Sequence, residues 1–465
     1  MIISIEPRGT QAPPPWPHQR AAVDFALQRR GTMLAAAMGT GKSRMATDHA
    51  EARGARRMLV LCPKSVVPVW PLEMGKYAQR RWMACILDSG TCERKADELT
   101  GAVRAAGAEG RPLVVIVNYE SAWRSPLART IGASGFDIVV FDESHRLKAP
   151  GGKASRFARE LAKRVPVRLA LTGTPMPHSP LDVYAQFRAV DPAIFGTSYT
   201  AFRARYAVMG DRGGRQVVVG VQNTDEIERL MSRATYKVDA DVLNLQEPVH
   251  VQRFCELGTA AARVYRDLER DLVADVEGGV VTASNALVRL LRLRQVTGGH
   301  VRREDGTDVE IDSAKADTLA DVLEDLPERE PVVVFGVFRK DLDQIRRVAE
   351  KQGRRVAELS GRVNELREWQ QGGADVIAVQ LQSGGVGVDL TRARYCIYWS
   401  VGYSLGDYMQ SLARVQRPGQ TRQVCYVHLI AQGTVDQAVY RALESRADVV
   451  ESVLAGLKAR QGAAA

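Results

Sequence analysis

The sequence predicts an α/β protein with two doubly wound parallel sheets and a helical segment between them. The first observation is two series of short apolar runs, closed by turn residues and separated by helical stretches. Such runs are typical of strands that are buried on both faces. The second observation is the length of 465 residues, which suffices for roughly two to three domains.

The elements follow one another in a regular order. A proline-rich segment that cannot be helical comes first, and a helix is expected from about His18. The apolar runs of the first series are residues 57–63, 112–120, 136–143 and 167–175. Those of the second series are residues 331–338, 374–380, 393–399 and 422–429. Residues 241–311 have a mostly helical pattern, so we expect domains at 1–240 and 312–465 with a helical insertion and linker between them.

The charge is unevenly distributed along the chain. The net charge is +10, but residues 1–240 hold 35 Lys and Arg against 22 Asp and Glu, or +13, whereas residues 241–465 hold 29 against 32, or −3. The basic first part suggests a polyanionic partner, and a solvated basic surface is the alternative that charge alone leaves open.

Several classes of protein are not supported. No run of about 18 apolar residues and no signal pattern is present, so we expect neither a membrane span nor secretion, and a cytoplasmic location. The six cysteines show no C-x-x-C spacing, which argues against a zinc site and against a disulfide framework.

A phosphate-binding loop is predicted at "LAAAMGTGKSRMA", residues 34–46, although Ala36 stands where the general spacing rule has glycine. Gly39 and Gly41 allow backbone N–H groups to approach phosphate oxygens, Lys42 reaches the β- and γ-phosphates, and Ser43 is a ligand for Mg²⁺. The apolar run "IVVFDESH" then delivers Asp142 to the same metal and Glu143 to the attacking water. The two segments together predict a nucleotide-hydrolysing site.

These segments also carry a family resemblance. A-x-x-G-x-G-K-S, D-E-S-H and "LTGTP" resemble motifs I, II and III of helicase superfamily two, in which alanine at position 36 is normal. "GGVGVDL" (384–390) and "QSLARVQRPGQ" (410–420) resemble motifs V and VI of the Swi/Snf-type ATPases. The likeness covers roughly residues 16–455 and implies two tandem RecA-like domains that hydrolyse ATP with Mg²⁺.

The resemblance implies further site residues. Gln19 resembles the glutamine that reads adenine, and His145, Thr172 and Thr174 resemble the residues that couple nucleotide state to the nucleic-acid groove. The remaining nucleotide-binding positions implied by the motifs are Thr40, Gly385, Asp389 and Gln410.

Motif VI supplies two arginines. Arg414 and Arg417 are three residues apart in a helical stretch, so we expect them to project from one helix face. The resemblance implies that they act as arginine fingers on the charge of the transferring phosphoryl group.

The implied track is double-stranded DNA, held largely independently of sequence. The candidate contacts, each of which could instead be plain surface, are Lys64, Ser65, Lys148 and Lys153. No nucleosome-reading module accompanies the motifs, so a nucleosome substrate is not expected. Three functions stay open: a duplex DNA translocase, a strand-separating or annealing helicase, and a nucleotide-gated DNA-binding scaffold.

Overall fold

The computed structural model describes residues 1–7, 12–176, 179–211, 216–277, 283–303, 305–382 and 388–445. It divides into two compact units, Met1–Asn244 and Leu245–Ala465.

The first unit is built on one large sheet. Its strands in the described residues are β1 (Ile2–Ile5), β2 (Gly31–Ala36), β3 (Arg57–Cys62), β4 (Trp82–Leu87), β5 (Leu113–Asn118), β6 (Ile138–Asp142), β7 (Val167–Thr172) and β10 (Thr235–Val238). They lie in the order β1-β4-β5-β3-β6-β7-β2-β10, and only the edge strand β1 is antiparallel to its neighbour. A separate antiparallel hairpin is formed by β8 (Ala207–Asp211) and β9 (Gln216–Val221).

Helices connect and cover these strands. They are α1 (Pro17–Leu27), α2 (Lys42–Ala52), α3 (Trp70–Tyr77), α4 (Cys92–Glu109), α5 (Tyr119–Ala122), α6 (Leu127–Ala133), α7 (Lys153–Ala162), α8 (Val183–Val190), α9 (Tyr199–Tyr206) and α10 (Thr224–Met231). Because helices pack on the sheet, the central strands are almost entirely buried, and every residue of β2 and of β5 is buried. This explains why these strands appear in the sequence as continuous apolar runs.

The second unit repeats this plan with a smaller sheet. Its strands in the described residues are β11 (Val249–Cys255), β14 (Val332–Gly336), β15 (Val356–Leu359), β16 (Val376–Gln380), β17 (Tyr395–Tyr398) and β18 (Cys425–Ala431), with a short hairpin of β12 (His300–Arg302) and β13 (Asp308–Glu310). The sheet order is β11-β18-β17-β14-β16-β15, and all of its pairs are parallel.

The helices of the second unit include two long ones before the central strands. They are α11 (Thr259–Glu277), α12 (Ala283–Thr297), α13 (Ala314–Glu324), α14 (Arg339–Lys351), α15 (Leu366–Gln370), α16 (Leu405–Val415) and α17 (Val435–Glu444). Two parallel α/β sheets confirm the predicted fold class.

The predicted boundaries of 241–311 differ from the structure. The first unit ends at Asn244 and the second begins at Leu245. Residues 249–255 form the edge strand β11 of the second sheet rather than part of a helical linker. Buried residues of α11 and α12, such as Tyr265 and Leu293, belong to the second core. The strand was missed because this edge strand is mostly exposed, so its sequence "VHVQRFC" lacks a continuous apolar run.

Candidate functional site

The predicted nucleotide residues of the first unit lie at the carboxyl edge of its sheet. β2 ends at Ala36 before the glycine-rich loop, β6 ends at Asp142, and β7 ends at Thr172. These three strands are neighbours in the order β6-β7-β2, so residues distant in the sequence meet at one edge. Ligands of open parallel sheets bind at this edge.

The loop has the backbone geometry of a phosphate cradle. Gly39 and Gly41 have φ values of 82° and 90°, a region that favours glycine. Helix α2 begins at Lys42, and its N-cap is Gly41, which has no side chain to cap the helix. The positive end of α2 therefore follows the loop directly, which fits a bound phosphate.

Lys42 lies inside this cradle. Its Nζ donates to the carbonyl oxygens of Ala36 at 2.9 Å and Ala37 at 3.4 Å. Gly173 lies opposite, since a Cβ built there would stand 3.9 Å from Nζ and 3.6 Å from the Ala36 oxygen. The end of β7 therefore approaches the loop closely.

Gln19 contacts the loop directly. Its Nε2 donates to the Thr40 carbonyl oxygen at 3.0 Å, while its Oε1 accepts from the Trp16 N–H at 3.0 Å. His18 Nε2 is 2.9 Å from the same Thr40 oxygen. In this structure both polar atoms of Gln19 bind the chain itself, and α1 is thereby joined to the loop. Its predicted role in reading adenine stays a prediction.

Asp142 and Glu143 are buried side by side, with exposed fractions of 6% and 5%. Asp142 Oδ2 accepts from the Trp70 indole Nε1 at 2.8 Å, and its Oδ1 accepts from the Glu143 N–H at 3.0 Å. Glu143 has a φ of 49°, a left-handed conformation that is costly for a residue with a side chain.

Charge and burial set the ionisation of Asp142. Burial, the larger cause, and the Glu143 carboxylate raise the pKa of Asp142 to about 6, against the lowering effects of the Trp70 hydrogen bond and of Lys42. A carboxylate and a hydroxyl, here Asp142 and Ser43, are oxygen donors of the kind that Mg²⁺ prefers. The donor set therefore fits this ion, whose charge would favour the ionised carboxylate.

A chain of side chains runs from Glu143 to β7. His145 Nδ1 lies 3.3 Å from Glu143 Oε2 and 3.4 Å from Thr172 Oγ1. Thr172 Oγ1 in turn accepts from the Thr174 N–H at 3.1 Å. The three residues predicted to couple nucleotide and nucleic acid are thus joined to the acidic pair.

Three supporting residues were missed by sequence reasoning. Trp70 bonds Asp142 as described, and Tyr119 OH donates to the Asp142 carbonyl oxygen at 2.8 Å. Gln186 accepts from Ser144 Oγ at 2.8 Å and donates to the Pro175 carbonyl oxygen at 2.7 Å. Because each reaches the site from a helix remote in sequence, spacing gave no signal for them.

The second unit places its candidate residues around α16. Arg414 lies on the last turn of α16 and is 7% exposed. Its carbonyl oxygen accepts from the Leu390 N–H at 3.1 Å, and Arg417 Nη1 donates to the Val388 carbonyl oxygen at 3.3 Å. The arginines thus flank the end of motif V.

The two arginines do not share a helix face as predicted. α16 ends at Val415, so Arg417 lies beyond the helix. The physical reason is Pro418, since a proline disfavours helical geometry in the residue before it.

The other predicted positions of the second unit differ in their surroundings. Gln410 is half-buried on α16. Asp389 is exposed, and its Oδ1 accepts from the Thr391 N–H at 2.9 Å and Thr391 Oγ1 at 2.7 Å. Gly385 lies outside the described residues.

The predicted nucleic-acid contacts lie in three segments of the first unit. Lys64 and Ser65 are exposed in a single 3-10 turn after β3, and Lys148 is half-buried after the Glu143 segment. Lys153 begins α7, with Nζ 4.6 Å from the centre of the Trp123 ring.

Other kinds of site find no support within the described residues. No group of three or more His, Cys, Asp and Glu side chains is placed to hold a metal ion there. All six cysteines are free thiols. Among the helices of the described ranges, none has the length and apolar character to cross a membrane.

Comparison with known families decides the classification. Residues 18–299 match the SNF2-related domain. The chain belongs to the SNF2-related family. Residues 314–419 match the helicase conserved C-terminal domain, which accounts for much of the second unit of this SNF2-related protein. The protein is therefore a helicase-like ATPase, and the predicted family is confirmed.

Individual relatives of the SNF2-related chain are distant. Protein p41 of Acyrthosiphon pisum secondary endosymbiont phage 1 is 25% identical over 470 residues, covering 96% of this chain and 98% of p41. The DNA annealing helicase and endonuclease ZRANB3 of Bos taurus is 24% identical over 466 residues, covering 95% of this chain but only 41% of ZRANB3. The helicase domain of Hef from Pyrococcus furiosus has the same fold, with a TM-score of 0.54 and 14% identity, covering 91% of this chain and 97% of that domain.

Proposed function

We propose that this SNF2-related ATPase is a translocase that moves along double-stranded DNA. The observation that carries the proposal is the chain of contacts from the acidic pair through His145 to Thr172 at the edge that also holds Lys42. Such a chain of contacts allows the state of the nucleotide to change the positions of the residues at the end of β7. A nucleic-acid groove at this edge would respond to that change.

Under this proposal, the candidate nucleotide-site residues of the first unit each have a role in hydrolysis. The amides of the loop and Lys42 bind the phosphates of ATP, and Ser43 with Asp142 holds Mg²⁺. Mg²⁺ supplies charge neutralisation at the phosphates when bound. Glu143 orients the attacking water and accepts its proton, while His145 holds the Glu143 carboxylate in place.

Arg414 and Arg417 complete the chemistry. A guanidinium that neutralises the transferring phosphoryl group raises the rate by about 10³–10⁵. The buried position of Arg414 supports this role, because a buried arginine side chain is restricted before substrate binds. We assign Gln410 and Asp389 to the same nucleotide-dependent step, together with Gly385.

The proposed track is duplex DNA. The net charge of +13 in residues 1–240 supports a polyanionic track, and the name of the relative ZRANB3 includes action on DNA. We assign the phosphate contacts to exposed or half-buried groups at the carboxyl edge, namely Lys64, Ser65, Lys148 and Lys153. Contacts of this kind do not select a base sequence.

One observation favours strand separation as a second candidate function. The β8–β9 hairpin pairs with no other strand among the described residues, and it exposes Val208, Val218 and Val219 by 39%, 43% and 62%. An apolar hairpin of this kind is suited to stack against a terminal base pair. A motor without such a wedge would leave stacking of about 1.4 kcal/mol per base-pair step intact.

A paired assay distinguishes the two functions. Displacement of a triplex strand is measured beside unwinding of a fork, on substrates that share one duplex. Translocation predicts triplex displacement without unwinding and an ATPase rate that rises with duplex length. Efficient unwinding without triplex displacement would identify a helicase, and DNA binding without ATP turnover would identify a scaffold.

A further inference from the structure

The first residues of the second unit are held by two glutamine side chains. The second unit begins at Leu245, and residues 245–248 lead from there into β11. Gln416 Nε2 donates to the Gln246 carbonyl oxygen at 2.6 Å, and Gln423 Nε2 donates to the Glu247 carbonyl oxygen at 3.0 Å. We call residues 245–248 the joining segment.

The two glutamines differ in what they attach to the joining segment. Gln416 lies between Arg414 and Arg417, and its own N–H donates to the Leu412 carbonyl oxygen at 3.0 Å. The arginine-bearing residues 414–417 are therefore bonded to the joining segment through one side chain. Gln423 lies outside these residues, shortly before β18.

A second connection runs from β11 to α16. The His250 ring on β11 stacks on the His428 ring of β18, with centroids 5.6 Å apart and planes 5° from parallel. His428 Nε2 lies 2.9 Å from Tyr408 OH, which is on α16. Burial lowers the pKa of His428 to about 3, so the ring is neutral and its Nε2 shares one hydrogen bond with this hydroxyl. Strand β11 is thus connected through His428 to the first turn of α16, while the joining segment is bonded to Gln416 just beyond the end of that helix.

We propose that Gln416 is a positioning residue that fixes residues 414–417 to the joining segment, so that a displacement of this segment moves Arg414 and Arg417 with it. The inference rests on the proposed function, because it concerns how DNA-stimulated hydrolysis depends on these arginines. A glutamine suits the position, since its amide donates to a carbonyl without adding charge beside two guanidinium groups.

The test compares Gln416→Leu with Gln423→Leu. Each change removes one side-chain donor to the joining segment and keeps a side chain of similar length. For Gln416→Leu we expect the DNA-stimulated kcat to fall about fivefold, the scale of one hydrogen bond, with the KM for ATP unchanged. Gln423→Leu should keep the wild-type kcat, and Gln416→His, which retains a ring N–H, should recover part of the loss.

Amide hydrogen exchange provides a readout that needs no DNA. Because the Leu390 N–H donates to the Arg414 carbonyl oxygen, its exchange reports the position of residues 414–417, the arginine segment. We expect faster exchange at Leu390 in Gln416→Leu and no change in Gln423→Leu.

Each other outcome overturns a defined statement. Equal loss of kcat in both leucine variants, or unchanged exchange at Leu390 in Gln416→Leu, would show that Gln416 only supports the fold. A wild-type ATPase that duplex DNA does not stimulate would instead refute the proposed function, and the exchange experiment alone would then decide whether Gln416 holds the arginine segment.

Discussion

The indole nitrogen of Trp70 donates a 2.8 Å hydrogen bond to Oδ2 of Asp142, a carboxylate that is 6% exposed. Trp70 begins α3, which follows β3, whereas Asp142 ends β6. A donor from a neighbouring strand connection therefore fixes the acid that we assign to Mg²⁺. Hydrogen bonds to charged groups are worth about 1.5–3 kcal/mol, so this contact affects both stability and ionisation.

Trp70→Phe tests that contact. The change removes the Nε1 donor. Because the hydrogen bond from this donor lowers the pKa of Asp142, we expect that pKa to rise when the bond is lost. The acid limb of the ATPase pH profile should then move to higher pH. Trp82→Phe is the matched control, because Trp82 Nε1 donates to Glu51 Oε1 at 3.0 Å away from the site. An unmoved acid limb in Trp70→Phe would separate this bond from catalysis.

Gly41→Ala should weaken ATP binding. A Cβ at Gly41 would stand 2.3 Å from Gln19 Nε2, and the φ of 90° is strained for alanine. Gly54→Ala is the control, since Gly54 also has a positive φ, of 64°, but its Cβ would meet nothing within 4 Å. Titration with a fluorescent ATP analogue measures the effect. Equal affinity of the two variants would mean that the loop tolerates displacement of Gln19.

Glu143→Gln should bind ATP with near-wild-type affinity and lose at least about 100-fold in turnover, because general-base catalysis contributes about 10²–10⁴-fold. The phosphate cradle is untouched by the change. Glu120→Gln serves as the control, as Glu120 is an exposed carboxylate that pairs with Arg146. Single-turnover hydrolysis with separately measured binding decides the matter, and wild-type turnover in Glu143→Gln would remove its assigned role.

Arg417→Ala should bind ATP within about twofold of the wild type and lose roughly 100-fold or more of its DNA-stimulated kcat, since a finger acts on charge that develops in the transition state. Arg422→Ala, which removes a half-exposed arginine paired with Glu330, is the control. Steady-state kinetics with saturating duplex provide the measurement. A collapse of ATP affinity with kcat unchanged would contradict the finger assignment.

His428 should make stability depend on pH. Its pKa is lowered by burial to about 3, below the unfolded value of about 6.5. Between these values the unfolded chain binds a proton that the native chain does not, so stability is lost as the pH falls, at up to about 1.4 kcal/mol per pH unit. His428→Gln should reduce the slope of unfolding free energy between about pH 6 and 4.5 by one proton, while His49, with a pKa of about 4, keeps its share. An unchanged slope in denaturant titrations would contradict this.

The residue pattern alone predicted the fold class and the segments that meet at the carboxyl edge of the first sheet. Central parallel strands such as β3, β5 and β6 are buried on both faces, so their apolar runs stand out. The glycine-rich loop and the Asp142–Glu143 pair were found because their residue types and spacing follow from local backbone geometry.

Features that depend on contacts between distant segments could not be predicted from the residue pattern. The edge strand β11 was mistaken for part of a linker, because a mostly exposed strand is recognised only by its pairing with β18. Helix α16 stops before Arg417, and the segment after it is fixed by bonds to residues 246 and 388. Periodicity records which face of an element is apolar, but it does not record which remote carbonyl or carboxylate a polar side chain meets. For that reason Trp70, Gln186 and Gln416 became visible only in the folded chain.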